Sequence, residues 1–329
     1  MTDQTTHAPL APPEDRLEHF PITLFASVMG LAGLALALHA GGTYLGWGPV
    51  FARFGLALAV VDLVAVTLFY LWKLLRFPQA IAAEWRHPVK LNFFPAIPIS
   101  FLLVAAALRF EAPLVAAPLW AVGAAGQAAL TLAVISAWIG PRGFGLAQVN
   151  PAWFIPAVGN VVVPIAGVPL GFVEVSWLFL AAGLVFWLAL LPILLLRLIA
   201  EPPMPTKLQP TLAILIAPPA VGFLSLLLLN GGVLDAGARV LFYAALVFGA
   251  LAAAQLAQTL RGAFALSWWA LSFPVAALTI SCFRFAGIAG SDGHGALGVA
   301  LLVLLIGIIS GLVARTLTGM VRGEICRPE

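Results

Sequence analysis

The chain has 329 residues, of which 62% are hydrophobic and only 9% charged, and its mean hydropathy is +1.07. So little polar surface cannot cover a soluble globule of this size, and the composition specifies an integral membrane protein. The net charge of +3 does not point to nucleic acid, because the basic residues lie at the ends of apolar runs, where membrane topology accounts for them.

Residues 1–18 contain Pro, Thr and acidic side chains, with no basic stretch ahead of an apolar run. They read as a short cytoplasmic tail and not as a cleavable signal. Ten apolar runs follow, at about 20–39, 51–75, 92–109, 114–139, 151–168, 172–197, 209–229, 237–259, 265–283 and 295–317. Each is close to the roughly 20 residues that a spanning helix needs. Together they predict one all-α membrane unit over 19–318, followed by a cytoplasmic tail over 319–329.

Ten spans put both termini on one side of the bilayer. With the termini inside, twelve of the Lys and Arg residues fall on inner segments and four, Arg53, Arg109, Arg239 and Arg284, on outer ones. That bias orients a multi-pass protein in a plasma membrane of the bacterial inner-membrane type, and it would invert if an early span were missed or invented. The longest polar connection, about 76–91, is an inner one; its Arg86 and Lys90 read either as a topological anchor or as a basic mouth that attracts anions. Cys282 and Cys326 come out on opposite sides, which argues against a disulfide within the chain.

The odd-numbered spans carry a proline at or near their start or inside them. Taking Pro21, Pro95, Pro156, Pro218 and Pro274 as markers, the steps are 74, 61, 62 and 56 residues, about the length of two membrane helices with their connections. This near-period predicts a helical hairpin repeated five times. A proline removes a backbone donor and clashes with the preceding turn, so five related breaks predict helices that bend around a central pore. No odd span has an Asp, Glu, Lys or Arg within its apolar run, whereas the even spans are longer runs of Leu, Ala and Val, with Asp62 in the second and Pro192 in the sixth. An inner ring of odd helices wrapped by an outer, lipid-facing ring of even ones follows. The abundance of Pro and Gly supports a cavity, since irregular backbone at membrane depth persists only where it is buried or lines one.

The sequence has no His-x-x-x-His or Cys-x-x-Cys spacing, no Gly-rich phosphate loop and no Gly-x-Ser-x-Gly elbow. No catalytic constellation, metal or other cofactor is expected. His7, His19, His39, His87 and His294 are scattered over termini and loops as interfacial residues. Asp62 lies near mid-membrane, where a charge is costly, and reads either as a proton-coupling carboxyl or as an interhelical hydrogen-bonding group. In Trp268-Trp269-Ala-Leu-Ser-Phe273-Pro274 the proline pushes Phe273 away from α geometry near the centre of the ninth span. A ring aimed into a narrow apolar pore is a steric and dewetting gate, while a ring facing lipid or other helices is ordinary packing.

Four of these segments carry a family resemblance. His87-Pro-Val-Lys-Leu-Asn-Phe-Phe94, Asn150-Pro-Ala-Trp-Phe-Ile-Pro-Ala-Val-Gly-Asn160, Pro210-Thr-Leu-Ala-Ile-Leu-Ile-Ala-Pro-Pro219 and Trp269-Ala-Leu-Ser-Phe-Pro274 resemble the third-, fifth-, seventh- and ninth-helix motifs of the tellurite-resistance/dicarboxylate transporter family, over residues 20 to about 320. That family includes TehA-like proteins, the slow anion channels of plant guard cells, fungal malate carriers and sulfite exporters. The resemblance implies a homotrimer of independent protomers, each with ten helices in five quasi-symmetric hairpins around its own pore. It places the occluding phenylalanine at Phe273. The plant channels have long phosphorylated termini, which are short here, so kinase-controlled gating is not expected to carry over.

The expected activity is passive passage of small anions such as nitrate and chloride through a Phe273-gated pore lined by uncharged odd helices. The rival readings are a proton-coupled or exporting carrier for C4-dicarboxylate, sulfite or a tellurite-related oxyanion, and, more distantly, a membrane-embedded enzyme. The expected partners are small inorganic or organic anions and the lipid bilayer.

Overall fold

A computed structural model describes residues 16–255 and 262–327, and the only regular structure among them is helical. Most of the amino-terminal tail, Arg261 and the last two residues of the carboxy-terminal tail lie outside the described residues. The α-helices are α1 (Phe25–Leu45), α2 (Val50–Arg76), α3 (Pro78–Arg86), α4 (Ala96–Leu108), α5 (Pro113–Ile139), α6 (Phe154–Val158), α7 (Val163–Gly167), α8 (Val173–Ala200), α9 (Ala217–Leu229), α10 (Ala236–Ala254), α11 (Ser272–Ala289) and α12 (Asp292–Val321). Nine helical segments among the described residues are long and apolar enough to cross a membrane. At the place of the fifth expected span lies a shorter apolar run, Pro151–Gly167, which contains α6 and α7.

The two kinds of span separate cleanly by burial. In the segments that contain α1, α4, α9 and α11, between 67% and 83% of the most apolar stretch is buried, against 22% to 33% in α2, α5, α8, α10 and α12. Contacts close the inward set into a ring: α1 touches α4, α4 touches α7, α7 touches α9, α9 touches α11, and α11 returns to α1. Each inward member also packs against the outward helix that follows it, which makes five hairpins. Small residues permit the closest approaches. A Cβ at Gly183 of α8 would lie 3.0 Å from the backbone nitrogen of Val161.

The marker prolines do not kink continuous α-helices. Every inward span begins with 3-10 helix, at Ile22–Leu24, Lys90–Phe93, Pro151–Trp153, Thr206–Ile216 and Leu266–Leu271, and then changes to α-helix. Pro95 caps α4, Pro218 is in the first turn of α9 and Pro274 is the third residue of α11. At those positions the missing N–H is one that a new α-helix leaves unpaired in any case. In the outward spans Pro118 and Pro192 lie within α5 and α8, and both helices continue past them.

The fifth span consists of four segments, alternately 3-10 and α, over 17 residues. Side chains serve carbonyls along it. Thr131 Oγ1 donates to the Pro156 carbonyl at 2.8 Å, Asn160 Nδ2 to Ala157 at 2.8 Å and Ser225 Oγ to Val161 at 2.6 Å. Trp120 Nε1 donates to Val163 and Arg109 Nη1 to Ile165, both at 2.9 Å.

The connection at 76–91 is not an open polar loop: Pro78–Arg86 is helix α3, and its Glu84 turns inward. Glu84 pairs with Lys73 Nζ at 3.0 Å and accepts from Tyr70 Oη at 2.9 Å, while Lys73 also donates to the Phe20 carbonyl at 2.8 Å. The Lys73 and Glu84 side chains are 2% and 8% exposed, so this cation is neutralised inside the protein instead of acting as a free topological charge. Removing one partner strands the other charge, a loss of about 3–5 kcal/mol for a buried pair. Lys73→Met should therefore lower the melting temperature of the purified protein markedly, and the double change Lys73→Met with Glu84→Leu should recover most of the loss. Equal melting temperatures for the single variant and the parent would show that the pair is dispensable.

Candidate functional site

Two cavities follow one another along the axis of the ring. The inner one, about 70 Å³, is lined from all five inward spans, by residues such as Ala26, Ile99, Phe154, Pro218 and Trp269. The outer one, about 370 Å³, is walled by apolar side chains together with His39, Arg109 and Arg284. Phe273 and Val221 line both, and no Asp or Glu lines either.

The position of Phe273 is set from several sides. Gly33 of α1 faces it: a Cβ added there would sit 2.9 Å from the Ala276 Cβ and 3.5 Å from Phe273 Cδ2. The preceding turn is anchored because Ser272 Oγ donates to the Trp269 carbonyl at 2.6 Å and Trp269 Nε1 donates to Thr316 Oγ1 at 3.0 Å. Phe273 itself is the second residue of α11 and is helical. The expected displacement from α geometry is thus absent, and the change of helix type lies just upstream, over Leu266–Leu271. Phe283 and Phe285, on the same helix, are 2% exposed; Phe283 packs on Tyr44 and Phe285 stacks on Phe242, away from both cavities.

Of the other residues singled out by sequence, Pro218 and Pro274 line the inner cavity, and Pro21, Pro95 and Pro156 line neither. Arg86, at the end of α3, is exposed and Lys90 begins the 3-10 turn before α4; neither borders the axial cavities. Asp62 is half-buried between α2 and α1, with Oδ2 2.6 Å from Ser27 Oγ. The Ser27 hydroxyl is also 2.7 Å from the Leu24 carbonyl. A hydroxyl has one proton to give, so both bonds form together only when the carboxyl supplies the second.

Two groups of residues escaped the sequence reading. Gln127, Thr131 and Asn160 form a buried polar cluster against the fifth span; the signal was two amide or hydroxyl side chains four residues apart in an apolar run. His39, Arg109 and Arg284 meet at the outer cavity, although Arg109 and Arg284 had counted only as outer-side charges. Their common signal was a basic residue at the outer end of an inward span.

The profile of the SLAC1 voltage-dependent anion channel family matches residues 19–317. Similar proteins include the S-type anion channel SLAH2 of Arabidopsis thaliana, 28% identical over 287 residues, which is 83% of this chain and 55% of the plant protein. The tellurite resistance protein TehA homolog of Haemophilus influenzae is 28% identical over 318 residues, with 92% of each chain covered. An uncharacterized transporter of Methanocaldococcus jannaschii is 24% identical over 343 residues, 95% of this chain and 98% of the archaeal one. The chain spans about half the length of its plant relatives SLAH2 and SLAH3. With the family profile covering nearly the whole chain and the fold an all-helical, multi-pass membrane protein, this protein belongs to the SLAC1 family of voltage-dependent anion channels.

Proposed function

We propose that the protein is an anion channel in which small anions such as nitrate and chloride pass through the ring of inward spans and Phe273 closes the passage. The observation that carries this reading is that Phe273, with Val221, belongs to both axial cavities. An aromatic ring at the junction of two cavities blocks ions sterically and makes the waist too apolar to hold a continuous water file. The absence of lining carboxylates and the basic outer wall favour anions over cations. A waist without fixed cations binds anions weakly, so selection follows ease of dehydration.

The reading includes a single ten-helix unit over 19–318, a homotrimer with one passage per protomer, and both termini in the cytoplasm of a cell with a bacterial-type inner membrane. The orientation rests on the distribution of Lys and Arg, twelve against four. In a background lacking Cys326, a thiol at Val233, beyond the outer end of α9, should label from outside the cell, and one at Pro205 only from inside. The reverse pattern would invert the molecule.

Asp62 lies off the passage and is engaged with Ser27, which supports a role in holding α2 to α1 and not in proton coupling. An amide can replace a protonated carboxyl in that contact. Asp62→Asn should leave anion flux in proteoliposomes within about twofold of the parent, because interhelical bonds of this kind are worth only about 0.6 kcal/mol on average. Loss of activity in a well-expressed variant, or abolition of proton dependence, would favour a proton-coupled carrier instead.

Phe273→Ala should raise basal anion conductance in planar bilayers, and Phe273→Leu should raise it less, since leucine keeps more bulk. Phe283→Ala and Phe285→Ala are the controls. They remove rings from packed sites, at a cost on the order of 3 kcal/mol in stability, and should create no current. Folded Phe273→Ala protein that conducts no better than the parent would remove the gate while leaving the fold intact.

A further inference from the structure

This inference rests on the reading of the axial passage as an anion pathway and concerns its outer cavity. That cavity is the only one of the two with charged walls, supplied by Arg109 and Arg284, with His39 beside them. Among the described residues, no carboxylate is within ion-pair distance of either arginine. Glu111, two positions beyond Arg109, is bound instead by Arg53 at 2.9 Å.

Arg109 is held in place. Its Nη1 donates to the carbonyls of Ala106 and Ile165, both at 2.9 Å, which ties the end of α4 to α7. Its guanidinium lies 4.2 Å from the centroid of the Phe110 ring, and that ring stacks on His39 with 3.7 Å between centroids and 20° between planes. These contacts use one of the three guanidinium nitrogens; Nη2 and Nε have no acceptor among the described residues. A guanidinium keeps its charge at neutral pH even when buried, so Arg109 is cationic. Two like charges therefore share a 370 Å³ cavity with no carboxylate in its wall or within ion-pair distance among the described residues, one of them fixed and carrying spare donors.

We propose that this outer vestibule is a binding site for small planar oxyanions, of the nitrate or monocarboxylate type, held between Arg109 and Arg284 before they reach the waist. A guanidinium presents paired N–H groups in one plane, which match two oxygens of a planar anion. A halide is a single sphere and makes no such paired contact. The vestibule thus discriminates by shape at the mouth, whereas the waist discriminates by dehydration.

The test is a thermal-melting titration of the purified full-length protein at constant ionic strength with sodium nitrate, sodium acetate and sodium chloride. Nitrate, acetate or both should raise the melting temperature saturably at concentrations where chloride has a weaker effect, and which of them does so identifies the oxyanion source. Arg284→Gln, at an exposed position that carries no interhelical bond, should weaken the oxyanion response about tenfold, as expected for losing one charge-assisted contact. Arg109→Lys, which keeps the charge and loses the fork, should erase the difference between oxyanion and chloride. The proposal is overturned if Arg284→Gln leaves the oxyanion response unchanged, or if it weakens chloride by the same factor, which is the signature of a diffuse field. Because melting is read without transport, failure of the Phe273 gate would leave this result standing, and failure here would leave the gate standing.

Discussion

Every backbone amide at membrane depth must find a partner inside the protein, and the architecture follows from how the inward spans meet that demand. The outward helices satisfy it largely alone, as continuous α-helices of 19 to 30 residues. The inward spans change helix type, which frees carbonyls, and those carbonyls are served by neighbours. In the fifth span the donors come from the hairpin partner α5 (Thr131, Trp120), from α9 (Ser225) and from the end of α4 (Arg109). Elsewhere Ser100 of α4 reaches the Phe25 carbonyl of α1, and Ser281 of α11 reaches Ala220 of α9. The bonds that rescue broken backbone are thus also the bonds that link the ring.

This arrangement affects what an ion would meet. Carbonyl oxygens exposed to a pore favour cations, as in potassium filters. Here the fifth-span carbonyls from Pro156 to Ile165 that accept side-chain donors are occupied, and the inner cavity is lined by groups such as Ala26, Ile99, Val158 and Pro218. A carbonyl oxygen already bound to a protein donor repels an anion less than a free one. The arrangement also leaves the inner cavity lined almost wholly by apolar side chains.

Much of the architecture was legible because its causes are periodic. Apolar runs of spanning length, the proline recurrence and the contrast between odd and even spans are properties of residue type and spacing, and they gave the hairpins, the ring and the inner and outer layers. The local meaning of the prolines was not legible. Whether Pro274 kinks a helix or sits harmlessly in a first turn depends on where the α-helix starts, and that start is set by the packing of Trp269 on Thr316 and of Gly30 on Ser272. The burial of Glu84 was not legible for a related reason: its partner Lys73 lies eleven residues earlier, on a different helix. Phe273 was singled out through motif and chemistry together and lines both cavities, while the meeting of His39, Arg109 and Arg284 was missed because they come from three different spans and share no local pattern.

The separation of charge from constriction has a physical rationale. A fixed cation in a narrow apolar waist would hold an anion strongly, because screening is weak there, and tight binding slows exit. The same charge placed in a wide, partly wet mouth raises the local anion concentration while leaving the waist free to release its ion. Arg109 and Arg284 stand in the 370 Å³ cavity, and Phe273 stands at its boundary with a 70 Å³ cavity that has no ionisable side chain in its wall. In the proposed reading, capture and closure therefore fall to different residues: Arg284 and Phe273 lie on α11, and Arg109 caps α4. Because Phe273 and Arg284 share α11, any tilt of that helix that displaced the ring would also move Arg284 relative to the tethered Arg109.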